Sequence, residues 1–308
     1  MSIIKSIIVI AGPTAVGKTA HAIEVARHFN TVILSADSRQ CFKEMNIGVA
    51  RPSVEELSQV AHYFIASHSI GEDINAAWYE RYALNLLNGL FLKYDTVVVT
   101  GGTGLYIKAL TEGLDAIPEV ATHIRTQVVS AYEAKGISWL QEQLRQHDPF
   151  FSKTGEMQNP QRMMRALEVI LGTGQSITSF RNSAKQPRPF ETILIGLELS
   201  RETLYERINL RVDGMMQAGQ EEEARSLLPY RHLNALQTVG YRELFDYFDG
   251  TISREEAIEQ IKQNTRRYAK RQMTWFKRQA KMHWVDAEEG KIIPLVERLM
   301  EKLVGNSK

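Results

Sequence analysis

Eight residues near the start of the chain, Gly12-Pro13-Thr14-Ala15-Val16-Gly17-Lys18-Thr19, fit the pattern G-x4-G-K-[S/T]. They stand between the β-branched run Ser6 to Ile10 and an amphipathic segment from Thr19 to Phe29, so the loop joins a predicted strand to a predicted helix. The glycines let successive backbone N–H groups turn inward around phosphate oxygens at the start of that helix. Lys18 adds a point charge, and Thr19 offers a hydroxyl to Mg²⁺. The bland alternative is a plain strand-to-helix turn. Such a loop recognises a di- or triphosphate, ATP included, without specifying what is attached to it. A kinase, an NTPase and a transferase that releases pyrophosphate all remain open.

Two further β-branched runs, Thr31 to Leu34 and Thr96 to Val99, also end in polar or glycine-rich loops. With helical patterns between them, they predict an α/β fold: a parallel sheet flanked by helices, with right-handed crossovers and a ligand crevice beyond the carboxyl ends of the strands. From Asp115 to about Pro187 the strand signal disappears. Charged helical segments follow at 122–135, 137–147 and 160–171, predicting an inserted all-helical subdomain over 115–187 between core segments 1–114 and 188–308. The run Thr192 to Leu199 returns the chain to the sheet before a helical C-terminal third. A chain of 308 residues with 44% hydrophobic and 24% charged residues has the material for such a core plus an insertion. Its single cysteine, Cys41, permits no intramolecular disulfide and no Cys-based zinc site, and none of the eight histidines shows persuasive ligand spacing. The apolar run Ile7 to Ile10 is too short to span a bilayer, and Met1 to Ser6 makes a poor signal-peptide n-region. The expectation is a cytoplasmic monomer with no membrane partner.

The crevice residues follow from that topology. Asp37, after the second run, is either a turn or cap residue or, beside a phosphate loop, a candidate general base. The run Thr96 to Val99 leads into Thr100-Gly101-Gly102-Thr103-Gly104 and not into the metal-holding Asp of an NTPase, which counts against ordinary ATP hydrolysis. Thr103 faces the same crevice, in a loop that taken alone reads as structural. The stretch Glu202 to Leu227, with Arg207, Arg211, Asp213 and the run Glu221-Glu222-Glu223, reads as a solvated helical pair broken at Gly219.

Net charge is only +1, yet Gln260 to Val285 holds eight Lys or Arg and no Asp or Glu. Projected as one helix, the eight cations fall on one half and Ile258, Ile261, Tyr268, Ala269, Trp275, Phe276 and Met282 on the other, while Met273 and Trp284 depart from the pattern. Such a basic face calls for a polyanion, and nucleic acid is preferred over a membrane surface. The Trp and Tyr residues read as core anchors rather than stacking platforms.

The segments GPTAVGKT, ADSRQ, GGTGLYIKAL, NPQRMMRALEV, RVDGMMQAG, TVGYREL and RRYAKRQMTWFKR occur in order from Gly12 to Arg278. Together they make the chain resemble the bacterial tRNA dimethylallyltransferases, the tRNA isopentenyltransferase family, in the type without a zinc finger. The resemblance implies transfer of a dimethylallyl group from dimethylallyl diphosphate to N6 of the adenosine 3′ of the anticodon, in tRNAs reading codons that begin with U, giving isopentenyladenosine. Mg²⁺ would be required and pyrophosphate released. It implies a core related to nucleotide kinases and an inserted helical domain that clasps the anticodon stem-loop. Carried over by motif, Asp37 would accept the N6 proton, Thr103 would assist positioning, and Lys18, Thr19 and Arg211 would stabilise the departing pyrophosphate. Contacts to tRNA are implied for Asp37, Ser38, Arg39, Gln40 and Thr103, for Gln161, Arg162, Met163, Met164 and Arg165, and for Gly240, Tyr241 and Arg242. Arg266, Arg267, Lys270 and Arg271 of the basic helix would join them. Phe42 stands where the family usually has Tyr, and Ile47-Gly48-Val49-Ala50-Arg51-Pro52 departs from its usual IGTAKP, putting fine positioning in that loop in doubt. A small-molecule or nucleotide kinase is the alternative reading.

Overall fold

The computed structural model describes residues 4–181 and 185–305. Met1 to Ile3 of the opening segment and 182–184 of the expected insertion lie outside them. In chain order the elements are β1 (Ser6–Ala11), α1 (Lys18–His28), β2 (Ile33–Ser35), α2 (Val54–Gln59), β3 (His62–Tyr63), α3 (Ala76–Leu90), β4 (Thr96–Gly101) and α4 (Gly104–Glu112). Helices α5 (Thr122–His147), α6 (Pro149–Thr154) and α7 (Pro160–Thr173) follow. Then come β5 (Glu191–Glu198), α8 (Arg201–Gln217), α9 (Gln220–Leu227), α10 (Arg242–Phe248), α11 (Arg254–Phe276), β6 (Met282–Asp286) and α12 (Ile292–Gly305).

The six strands form one parallel sheet in the order β3-β2-β4-β1-β5-β6. This is the α/β architecture that the alternating pattern predicts. Every residue of β1 is buried, because the strand is covered on both faces. Ile7 and Val9 pack on one side with Tyr79, Ala83 and Leu87 of α3 and Ile107 and Leu110 of α4. Ile8 and Ile10 pack on the other with Ala22, Ile23 and Val25 of α1 and Ile292 and Val296 of α12. The phosphate loop therefore springs from the best-buried strand, and the loops after β2 and β4 emerge beside it at the same sheet end.

Chain contacts separate two units, one of Met1–Glu112 with Pro187–Lys308 and one of Gly113–Gln186. The second has its own core of Val128, Leu140, Leu144, Phe151, Met163 and Leu167. Its long helix α5 breaks at Gly136, whose φ of 74° is easy only for glycine. Asp148 caps α6 by accepting the Phe151 N–H at 2.9 Å, and Asn159 caps α7 by accepting that of Arg162 at 3.3 Å.

Two strands differ from the sequence reading. The two-residue β3 has too little chain to show a period. The predicted basic helix continues through Met282, whereas α11 ends at Phe276 and 282–286 forms β6, with Leu194 to Glu198 of β5 opposite Met282 to Asp286. Neither Gly nor Pro marks that stop, and pairing with β5 settles it. Lys277, Arg278 and Lys281 thus lie beyond the helix.

Candidate active site

The phosphate loop owes its shape to three local facts. A Cβ on Gly12 would lie 2.8 Å from the Leu197 carbonyl oxygen, so only glycine allows β1 to turn this close to β5. Ala15 and Gly17 both adopt left-handed φ values, 67° and 101°. Gly17 then caps α1 without a side chain, and no acidic residue stands in the first turn. The helix N-terminus is left with N–H groups and a dipole suited to an anion. Lys18 folds back over this cradle, its Nζ donating to the Pro13 carbonyl at 2.7 Å. Burial pushes Lys18 down to about 8; Asp37 opposes that shift and Arg211 adds to it.

Across the cleft, the Asp37 Oδ1 accepts the N–H groups of Arg39 at 2.9 Å and Gln40 at 3.2 Å. Asp37 is thus a turn residue that also shares the cavity with the phosphate loop. Its Oδ2 accepts no hydrogen bond among the described residues. Thr103 Oγ1 accepts the Ser38 N–H at 3.0 Å, and the Thr103 N–H donates to the Ala36 carbonyl at 3.2 Å, which joins the loops after β2 and β4. Gly101 is required there, because a Cβ would overlap the Ala36 carbonyl. Arg211 on α8 points its Nη1 at Thr14 Oγ1, 3.5 Å away. Burial in the cleft lowers its guanidinium below the ordinary value, with Glu56 opposing.

Thr14, Lys18, Thr19, Asp37, Ser38 and Arg211 line one cavity of about 490 Å³, together with Gly48 to Pro52, Val212, Met215, Val239, Ile261, Tyr268 and Gln272. Sequence reasoning missed three of its organisers. Gln272, buried on α11, accepts the Thr14 N–H at 2.9 Å and donates to the Gly102 carbonyl at 2.8 Å, clamping the phosphate loop to the Thr103 loop. Its signal was an amide at about 280° within the apolar arc of the helical projection, an arc that Gln279 also enters. Tyr268, one turn earlier, lines the cavity and is 36% exposed, so it is no core anchor. The third, Glu223, belongs to the run read as solvated. Its carboxylate accepts N–H groups of Asn46, Ile47 and Gly48 at 2.8–2.9 Å and the Tyr241 hydroxyl at 2.7 Å, which fixes the cavity wall. Of the departures in that segment, Arg51 has a visible role, its Nη2 donating to the carbonyls of Phe42, Lys43 and Met45.

Other motif residues face elsewhere. The side chains of Met163 and Met164 are buried in the second unit's core and that of Tyr241 is buried in the first, so all three pack inward. Gly240 lines the cavity, but its N–H donates to Glu243 and its carbonyl accepts from Gln220. Gln40 is likewise turned inward, donating to the Val49 and Ala50 carbonyls. Gln161, Arg162 and Arg242 are exposed, and Arg165 is partly so. Arg162 pairs with Glu156, and Arg165 with Glu168 at 3.3 Å. The basic face is not uniformly unneutralised: Lys262 pairs with Asp213 at 2.8 Å, Lys277 pairs with Glu198 at 2.5 Å, and Arg266 donates to the Asn209 amide. Arg266, Arg267, Lys270 and Arg271 have no carboxylate partner among the described residues.

A loop of the G-x4-G-K-[S/T] pattern after β1, on a parallel sheet and opposite a carboxylate, gives the chain the architecture of a P-loop protein. The profile of IPP transferase matches residues 40–279. A tRNA dimethylallyltransferase of Cytophaga hutchinsonii is 51% identical over 280 residues, 91% of this chain and 92% of that protein. One of Flavobacterium psychrophilum is 48% identical over 96% of this chain and 99% of that protein. The crystal structure of a tRNA isopentenylpyrophosphate transferase from Bacillus halodurans superposes with a TM-score of 0.70 at 32% identity, over 98% of this chain and 96% of that one. The chain belongs to the IPP transferase family.

Proposed function

We propose that this chain transfers a dimethylallyl group from dimethylallyl diphosphate to N6 of the adenosine adjacent to the anticodon on its 3′ side, in tRNAs that read codons beginning with U. The observation that carries the reading is the placement of Asp37 on the same cavity as the phosphate loop, with Thr103 tied to its neighbour Ser38, in a chain of this family. The N6 lone pair attacks C1 of the allyl group, the C1–O bond breaks, and pyrophosphate leaves with the bonding electrons. The N6 proton passes to Asp37, whose Oδ2 is free while Oδ1 is held by two backbone N–H groups. Lys18, Arg211 and the N–H groups at the start of α1 face the oxygens on which negative charge grows. Thr103 positions the acceptor through its tie to Ser38.

Mg²⁺ fits this donor set. Among the described residues no three His, Cys, Asp or Glu side chains converge as a cage. The hydroxyl of Thr19 in the first turn of α1 suits an ion held chiefly by diphosphate oxygens and water. Bound there, Mg²⁺ would supply charge neutralisation for the leaving group.

The RNA partner is gripped by Ser38, Arg39 and Arg242, by Gln161, Arg162 and Arg165 of the second unit, and by Arg266, Arg267, Lys270 and Arg271. The target base leaves its stack to reach the cavity. No helix among the described residues is long and apolar enough to cross a membrane. The test is a mass spectrum of anticodon stem-loop RNA incubated with Mg²⁺ and either dimethylallyl diphosphate or ATP. A dimethylallyl increment in the first arm is the expected result. A phosphoryl increment in the second would establish the kinase reading instead.

A further inference from the structure

Tyr268 is the one aromatic residue among the described residues that line the cavity. It lies on α11 a single turn before Gln272, so the helix that clamps the two catalytic loops also delivers this ring beside them. Over a third of its surface is open, unusual for an aromatic side chain on the inner side of an amphipathic helix. The Arg271 guanidinium stands 5.8 Å from the ring centroid. Burial of the hydroxyl, with the Asp37 charge nearby, pushes it up to about 12, so it stays protonated.

Two groups elsewhere in the lining differ in chemistry. Lys18, Thr19 and Arg211 suit a diphosphate, and Val212, Met215 and Ile261 suit a short branched hydrocarbon. Neither group offers a flat surface to a purine.

We propose that Tyr268 is the stacking platform of the acceptor site: the unstacked adenine lies against its ring, which α11 presents on the same cavity as Asp37. The assignment rests on the function proposed above and names the protein surface that holds the base. Aromatic platforms of this kind receive splayed-out bases in many RNA-binding proteins.

The test uses a stem-loop carrying 2-aminopurine in place of the target adenosine, and a second stem-loop with the adenosine itself. Wild type and Tyr268→Phe quench the 2-aminopurine on binding, whereas Tyr268→Leu leaves it bright. In single-site kinetics Tyr268→Leu raises KM for the RNA roughly 5- to 150-fold, the range expected for one lost base–aromatic stack, and leaves KM for dimethylallyl diphosphate and Tm unchanged. Tyr268→Phe restores the RNA KM most of the way. Equal quenching and equal RNA KM in Tyr268→Leu would overturn the assignment, as would a fall in Tm with both KM values rising together. A wild-type protein that quenches the probe yet transfers no dimethylallyl group would sink the proposed reaction while keeping the platform.

Discussion

Lys18 offers a quantitative handle on the diphosphate half of the site. With a value of about 8 it is mostly charged at pH 7, and only about a tenth of the free protein carries the charge at pH 9. A bound diphosphate brings Lys18 a strong anionic partner and restores its proton. The sign follows directly. Below about pH 8 binding needs no extra proton, and above it each complex takes one up, so affinity falls by roughly tenfold per pH unit. At pH 9 the expected uptake on binding inorganic pyrophosphate is about 0.9 proton, read from titration calorimetry in buffers of different ionisation enthalpy. Two variants shift the profile in opposite directions. Asp37→Asn removes the charge that raises Lys18 and moves the decline to lower pH; Arg211→Gln removes a charge that lowers it and moves the decline up. A flat affinity from pH 7 to 9.5, or no buffer dependence at pH 9, would refute the argument.

Asp37→Asn is expected to slow single-turnover transfer by roughly 10²- to 10⁴-fold with RNA affinity retained, measured by rapid quench. Gln272→Leu leaves the Thr14 N–H and the Gly102 carbonyl without partners, and urea denaturation should register a loss of about 2–4 kcal/mol together with weaker pyrophosphate binding. Replacing Arg266, Arg267, Lys270 and Arg271 together with Gln should reduce the salt slope of stem-loop binding by up to about 3 while preference for the cognate loop over a scrambled one survives, as filter binding across a salt series would measure.

The parts of the site legible in the sequence were those with a local cause. The phosphate loop declares itself by glycine spacing, and Asp37 and Thr103 by their place after β-branched runs. What escaped depends on partners distant in sequence. Glu223 looked solvated because nothing near it reveals three N–H groups presented from residues 46–48. The strand β6 hid inside a helical pattern that Met282 continued by accident, and Trp284, off that pattern, was its only trace. The motif segments around Met163 and Tyr241 mix exposed and buried positions, and matching a segment does not tell which side chains turn inward.

The central strand has a consequence for synthesis of the chain. Strand β1 needs β4 on one edge and β5 on the other, and β5 begins only at Glu191. A ribosome adding about 5–20 residues per second completes β5 roughly 10 to 40 s after β1, and through that interval a wholly apolar edge of Ile7 to Ile10 is without its second neighbour. The Thr14 partner, Gln272, arrives later still, 258 residues downstream. The nascent chain therefore passes through a long aggregation-prone window in which its phosphate loop exists as sequence but not as a cradle, and demand for chaperone protection should peak between the emergence of β4 and that of β5.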